Sequence, residues 1–361
     1  DEPLAQVRAE EAGAAGDQDL VHAAHSTRAL HWRPMRVHAL SVAPMMDWTD
    51  RHCRYFLRQV SARAFLYTEM ITTGALLHGD VERHLGFSPA EHAVGAQLGG
   101  SEPEELAKCA ALVQEYGYDE VNLNCGCPSE RVQKGAFGAC LMAEPSLVGD
   151  CVSAMRESVS IPVTIKHRTG IDRIEAYDFL ARFVDTVSRA GCATFIVHAR
   201  NAVLKGLSPK ENREVPPLKH HYVYRLKQDF PHLEIVINGG ITSRAQADAH
   251  LAHVDGVMLG RAAYHDSWIL ADPGKTRAGV VQAMVEYAAG LPGLRPVARH
   301  MLGLYHGHPR ARLWRRMLSD PAGLSRNDPR LLLEALDAVE SGSKEIPHER
   351  RPQAEELQAR P

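Results

Sequence analysis

Eight short apolar, β-branched runs recur along the middle of this chain, separated by longer stretches with helical periodicity. They fall at residues 37–44, 64–70, 93–99, 120–124, 162–168, 194–200, 234–239 and 255–260. Near-continuous apolar runs of this length suit parallel strands buried on both faces, and each parallel pair needs a crossover connection. An open doubly wound sheet usually has fewer such units, so the pattern predicts an α/β fold built on a closed (β/α)8, or TIM, barrel. The stretch after the third run shows the alternation. Ser101 and Glu104 are spaced as a capping box, Pro103 sits in the first turn, and Leu106, Cys109, Ala110 and Val113 recur on one helical face, which makes Cys109 a core residue.

Residues 1–34 are rich in Ala, Glu and Asp without sustained periodicity and are expected to be a disordered extension. The barrel is assigned to 35–275, a smaller C-terminal helical domain to 276–340, and a second disordered segment to 341–361. With 45% hydrophobic residues the chain can bury a core, and its formal net charge of -3 gives no whole-molecule attraction for nucleic acid, so such a partner requires a local patch. Seven scattered cysteines fit reduced thiols in a cytosolic setting. The first residues resemble neither a secretory signal nor a transit peptide, and no run is apolar enough to span a bilayer. A cytoplasmic, monomeric protein without a membrane or metal partner is expected.

In a barrel of this kind the functional groups stand at the carboxyl ends of the strands. Those ends read Pro44-Met45-Met46, Glu69-Met70, Gln97, Asn124, Lys166-His167-Arg168, His198-Ala199-Arg200, Asn238-Gly239-Gly240 and Gly260-Arg261. A single polar strand end is a solvated terminus as often as not, but barrel closure points all eight at one centre. The last two combine glycine turns with an arginine, which suits a phosphate held by backbone N–H groups and a cationic fork; either turn alone would be an ordinary loop. With an amide from Gln97, a cation from Lys166 and an imidazole from His198, the groove fits FMN. Gln97 would meet the pyrimidine edge of the ring and Lys166 the charge at N1 and O2.

The segment NLNCGCPS places Cys125 and Cys127 around one glycine. No second cysteine pair stands nearby to complete a zinc site, and a disulfide across Gly126 would be strained. Burial as small apolar residues is the remaining plain alternative. Position separates the two, since Cys127 lies past the end of the fourth run and Cys125 nearer the packed strand.

Taken together, APMMDWTDRHCR, TEMITTGAL, QLGG, NLNCGCPSERVQKGAFGACLM, TIKHRTGID, HARNAVLKGLSPKENREVPPL, NGGI and LGRAAY resemble the tRNA-dihydrouridine synthases, most closely the subfamily acting on uridines 20 and 20a. The likeness covers about residues 37–320 in eight ordered blocks. It implies an FMN barrel followed by a helical tRNA-binding domain, with NADPH as the usual electron donor. Pro44, Met45, Met46, Gln97, Lys166, His198, Asn238, Gly239, Gly240, Gly260 and Arg261 become the expected cofactor-binding residues. The second cysteine of the block is the family's proton donor, which points to Cys127; a thiol, with a reference pKa of about 8.5, holds its proton near neutrality yet can release it to a developing carbanion.

The same resemblance assigns Asn124, Lys210 and Arg213 to tRNA. Beyond the barrel, residues 286–318 carry six arginines against Glu286 alone, with Tyr305 and Trp314 interleaved. Such a patch is either a solvated helix face or an RNA surface, and the resemblance favours RNA through Arg312 and Arg315. The implied reaction is reduction of the uridine C5=C6 bond in the tRNA D-loop, with an FMN reductase of a free pyrimidine or other small molecule as the alternative.

Overall fold

The computed structural model describes residues 37–174 and 176–341. The extension expected over 1–34 and, apart from its first residue, the tail expected over 341–361 lie outside them. Each of the eight apolar runs coincides with a strand, β2 and β4 continuing two and one residues past their runs: β1 (Leu40–Val42), β2 (Leu66–Thr72), β3 (Val94–Gly99), β4 (Glu120–Cys125), β5 (Val163–Arg168), β6 (Thr194–His198), β7 (Glu234–Asn238) and β8 (Gly256–Leu259). All are parallel, in the order β1-β8-β7-β6-β5-β4-β3-β2. The ring closes between β1 and β2, where Val42 N–H donates to Phe65 O and Phe65 N–H to Leu40 O, both at 2.9 Å. This is the expected (β/α)8 barrel, with helices in the connections and further helices beyond β8.

Strand parity divides the core in two. Val121, Leu123, Ile165, Val197, Ile237 and Leu259 join the helices in one large buried layer. Ala43, Phe65, Tyr67, Ile196, Val236 and Met258 form a second, smaller cluster with Met45 and Ala93 against it. That second cluster supplies the apolar part of the barrel lumen. On β3, β4 and β5 the inward positions are polar instead, namely Gln97, Asn122 and Thr164, all buried.

The helix after β3 runs Pro103–Glu115 and buries Leu106, Cys109, Ala110 and Val113, as its periodicity predicts. The capping box expected at Ser101 is not formed. Its N-cap is Glu102, with no side-chain cap, because Pro103 takes the first helical position and leaves Ser101 one residue too early.

Beyond β8, the helix Arg277–Ala289 packs on Arg51–Val60 of the first βα unit. Tyr287 stacks on Tyr55 at 3.9 Å between ring centroids, and Asp50 accepts from Arg299 and pairs with His300. The next long helix, Ala311–Ser319, buries Trp314 and Leu318 against Arg330–Glu340. Trp314 Nε1 donates to Met301 O at 2.8 Å, and Tyr305 is equally buried, so both aromatics belong to the core and not to a stacking surface.

Candidate active site

Side-chain parity along β4 to β7 brings the expected residues to one end of the barrel. Asn124 lies beside Lys166, and Arg168, His198 and Asn238 are successive register neighbours. Asn124 Nδ2 donates to Gln97 Oε1 at 2.8 Å, and Lys166 Nζ to Asn238 Oδ1 at 3.3 Å. Asn238 is fixed in turn by donating to Met258 O at 2.7 Å. Pro44, Met45 and Met46 continue from β1; Met45 packs on the lumen cluster and Met46 is exposed.

The electrostatics are those of a cationic cluster short of counter-charge. Burial, then the neighbouring Arg168, pulls Lys166 down to about 7. Burial and the charges of Arg168, Lys166, Arg200 and Arg213 hold His198 well below its usual range, so it is neutral near pH 7. His167 has the opposite parity and lies between Phe183 and Phe195, its Nδ1–H donating to Arg168 O at 2.7 Å; burial depresses it to about 4, and it is a core residue. A buried cationic cluster of this kind suits an anionic ligand.

The Gly-Gly turn after β7 and the start of the helix Arg261–His265 after β8 form an adjoining corner. Gly239 and Gly240 have φ of +111° and +75°, and a Cβ on them would come within 2.7 Å of the His198 ring and 2.5 Å of Leu218. Only glycine lets the backbone approach so closely here. Arg200 Nη1 donates to the carbonyls of Glu214 and Pro216, while its Nε is buried without a partner among the described residues. Arg261 pairs with Glu214, and Gly260 caps its helix. An unpartnered N–H, an arginine and a glycine cradle suit a phosphate group, with the cationic cluster and Gln97 beside them.

Cys125 and Cys127 separate cleanly. Cys125 is fully buried, and burial lifts its thiol well above the ordinary range. Cys127 is half-buried in the turn after β4. Asn124 Oδ1 accepts from the N–H groups of Gly126 and Cys127, both at 3.0 Å, while Ala139 N–H donates to Cys127 O at 2.9 Å. Its Sγ lies 3.4 Å from Ser129 Oγ, and Arg168 Nε donates to the carbonyl of the adjoining Gly126 at 3.1 Å. Among the described residues no group of three or more His, Cys, Asp or Glu could hold a metal ion.

Lys210 and Arg213 are exposed around the turn Glu211–Arg213 in the loop after β6. Arg312, Arg315 and Arg316 share the exposed face of Ala311–Ser319, on the C-terminal helices and not on the barrel strands. Two members of the basic patch are otherwise engaged: Arg299 with Asp50, and Arg310, which donates to Ala338 O at 2.9 Å. Sequence reasoning passed over Arg168 and Arg200 as site residues; Arg168 lies two positions after Lys166 on β5 and shares its face, whereas Arg200 falls in the turn after β6.

Comparison with known proteins places the chain in a family. The family model described as "Dihydrouridine synthase (Dus)" matches residues 41–340. A tRNA-dihydrouridine(20/20a) synthase of Synechocystis sp. is 54% identical over 316 residues, 84% of this chain and 95% of its own. The protein of the same name from Escherichia coli (strain K12) is 54% identical over 325 residues, 86% and 93% of the two chains. That from Shewanella oneidensis is 55% identical over 296 residues, 78% and 88%. With a family match spanning nearly all of the described residues, and with Cys127, Lys166 and His198 gathered at one barrel mouth, the chain belongs to the dihydrouridine synthase family.

Proposed function

We propose that this chain reduces the C5=C6 bond of uridines 20 and 20a in the D-loop of tRNA to 5,6-dihydrouridine, with FMN as resident cofactor, NADPH as electron donor and Cys127 as proton donor. The observation that carries the reading is the half-buried Cys127 thiol in a turn tied by hydrogen bonds to Asn124 and Arg168, at the strand ends that also bear Lys166, Gln97 and His198. A flavin bound there supplies hydride to C6 of the base. Cys127 delivers the proton to C5 from the opposite face, and its turn is held by Asn124 Oδ1 and by Arg168 Nε, which donates to Gly126 O at 3.1 Å. With the cofactor bound, Lys166 would supply positive charge to its ring, Gln97 a hydrogen bond, and Arg200 and Arg261 would hold its phosphate.

A uridine in folded tRNA must leave its stack to reach such a mouth, so the base is extruded into it. Asn124, Lys210 and Arg213 meet the RNA near the mouth, and Arg312 and Arg315 of the helical part, 276–340, meet the phosphate backbone. The relatives' substrate, tRNA, and the absence among the described residues of a helix able to cross a membrane accord with a cytoplasmic enzyme.

Mass spectrometry of tRNA incubated with the protein and NADPH tests the reading. D-loop uridines should gain the mass of two hydrogens. Cys127→Ala should bind FMN and accept electrons from NADPH but lose about 10²–10⁴-fold in uridine reduction, the range of a general acid. Unchanged dihydrouridine formation by this variant would remove Cys127 from the chemistry, and unmodified tRNA with wild-type protein would overturn the whole assignment.

A further inference from the structure

A polar ladder crosses the lumen beneath the mouth. Gln97, Asn122 and Thr164 are register neighbours on β3, β4 and β5. Gln97 Nε2 donates to Asn122 Oδ1 at 2.8 Å, Asn122 Nδ2 to Thr164 Oγ1 at 2.8 Å, and Thr164 Oγ1 to Glu120 Oε1 at 2.6 Å. Glu120 also accepts from Tyr67 at 2.7 Å, and its Oε2 lies 2.7 Å from His38 Nε2. At the upper end Asn124 connects Gln97 Oε1 to the N–H groups of the Cys127 turn. Every member of this chain except Asn124 is nearly fully buried.

The direction of the ladder follows from the chemistry of its lower end. An ionised carboxylate only accepts, and a hydroxyl has one proton to give. With that proton on Glu120, Thr164 presents a lone pair to Asn122, which must answer with its NH2. The oxygen of Asn122 then faces Gln97, which must also answer with NH2, and the oxygen of Gln97 faces Asn124. A primary amide has nearly the same shape either way round, so packing alone leaves its orientation open. The carboxylate below and the turn N–H groups above agree on one sense. Gln97 is left with one N–H and one lone pair uncommitted, in fixed places.

We propose that Glu120, Thr164 and Asn122 are positioning residues for the reaction: they carry a fixed hydrogen-bond polarity from the barrel floor to Gln97 and Asn124, and so set which amide atoms face a bound flavin and a substrate base. The proposal rests on the reading of Gln97 and Asn124 given above. Removing the Thr164 hydroxyl leaves the buried NH2 of Asn122 without an acceptor. Relief by flipping Asn122 sets its NH2 against that of Gln97, and flipping Gln97 passes the mismatch to Asn124. One faulty contact then migrates along the ladder and reaches the ligand.

The test compares Thr164→Val with Thr164→Ser in the full-length protein, reading FMN affinity by fluorescence titration, the absorption spectrum of the bound flavin, and kcat and KM for tRNA. Thr164→Val should weaken FMN about tenfold and lower kcat, matching the cost of one mispaired buried hydrogen bond. Its KM for tRNA should change less than its FMN affinity, as the charged RNA contacts Lys210, Arg213, Arg312 and Arg315 are untouched and only Asn124 is reached by the ladder. Thr164→Ser should restore all readouts. Thr164→Ala removes the same hydroxyl without adding a methyl and gives the same comparison should the valine variant not fold. Wild-type FMN affinity and kcat in a folded hydroxyl-less variant would overturn the proposal, as would equal impairment of the serine variant. A wild-type protein that binds no flavin would overturn the underlying reading first, and this proposal with it.

Discussion

The state of Lys166 yields a sharp test of the flavin site. Burial and Arg168 lower its pKa to about 7 in the free protein. An anionic ligand supplies the missing counter-charge and raises that pKa again, so binding above pH 7 must take up a proton. The sign follows: affinity for FMN is full below about 7 and falls as pH rises through it. At pH 8 about one-tenth of the free protein carries the proton on Lys166, and at pH 9 about one-hundredth, so the dissociation constant should rise about tenfold and then up to about a hundredfold. A phosphate monoester, with its second ionisation near 6, is already dianionic over this range and adds little slope. Calorimetry at pH 8 in two buffers of different ionisation enthalpy should show uptake approaching about one proton per FMN. Lys166→Met should abolish both the uptake and the slope, and the gap between its affinity and that of wild type should narrow as pH rises from 7 to 9. Wild-type affinity that stays flat from pH 7 to 9, with no proton uptake, would refute the assignment of Lys166 to the ligand.

Replacing Arg312 and Arg315 together by alanine should raise KM for tRNA, leave kcat unchanged and reduce the slope of log affinity against log salt by about 1–2, since each phosphate contact contributes about one counterion; an unchanged salt slope would take these residues off the RNA surface. Gly240→Ala forces a side chain into φ of +75° and against Leu218, and should weaken FMN in titration by about 1–3 kcal/mol, whereas wild-type affinity would exclude this turn from the phosphate corner. Trp314→Ala empties a fully buried site and frees the Met301 carbonyl, at a cost of about 3–5 kcal/mol in denaturant unfolding; a loss below about 1 kcal/mol would contradict its place in the core.

The barrel was legible because parallel strands buried on both faces need apolar runs, and eight such runs leave few other ways to close a core. Lys166, His198 and the Gly239-Gly240 turn were legible for a related reason: polar residues ending an apolar strand have one common place to point. Sequence gives parity but not register, however. Glu120, Asn122 and Thr164 look like ordinary strand residues until β4 and β5 are aligned, and Thr164 meets Glu120 across 44 positions. The Asp50–Arg299 pair spans 249 positions and removes one cation from a patch that composition alone counts in full. Local signals can also mislead, as at Ser101, where the helix start is set by Pro103 and not by the hydroxyl.

Arg168 shows why the mouth can be both rigid and attractive to anions. Its Nε donates to Gly126 O at 3.1 Å, and its Nη1 to Asn201 O at 3.2 Å and Asn212 O at 2.8 Å. Gly126 belongs to the turn that carries Cys127, while Asn201 and Asn212 flank the loop segment with Lys210 and lead into Arg213. One buried guanidinium therefore braces the turn of the proposed proton donor against the loop proposed to hold the RNA. All three acceptors are carbonyls. A carboxylate in their place would satisfy the same N–H groups but would cancel the charge, whereas carbonyl dipoles meet the hydrogen-bonding demand and leave the field of the cation directed at the mouth. Lysine could not substitute here, since a single ammonium on a flexible stem lacks the planar fork that reaches two chain segments at once.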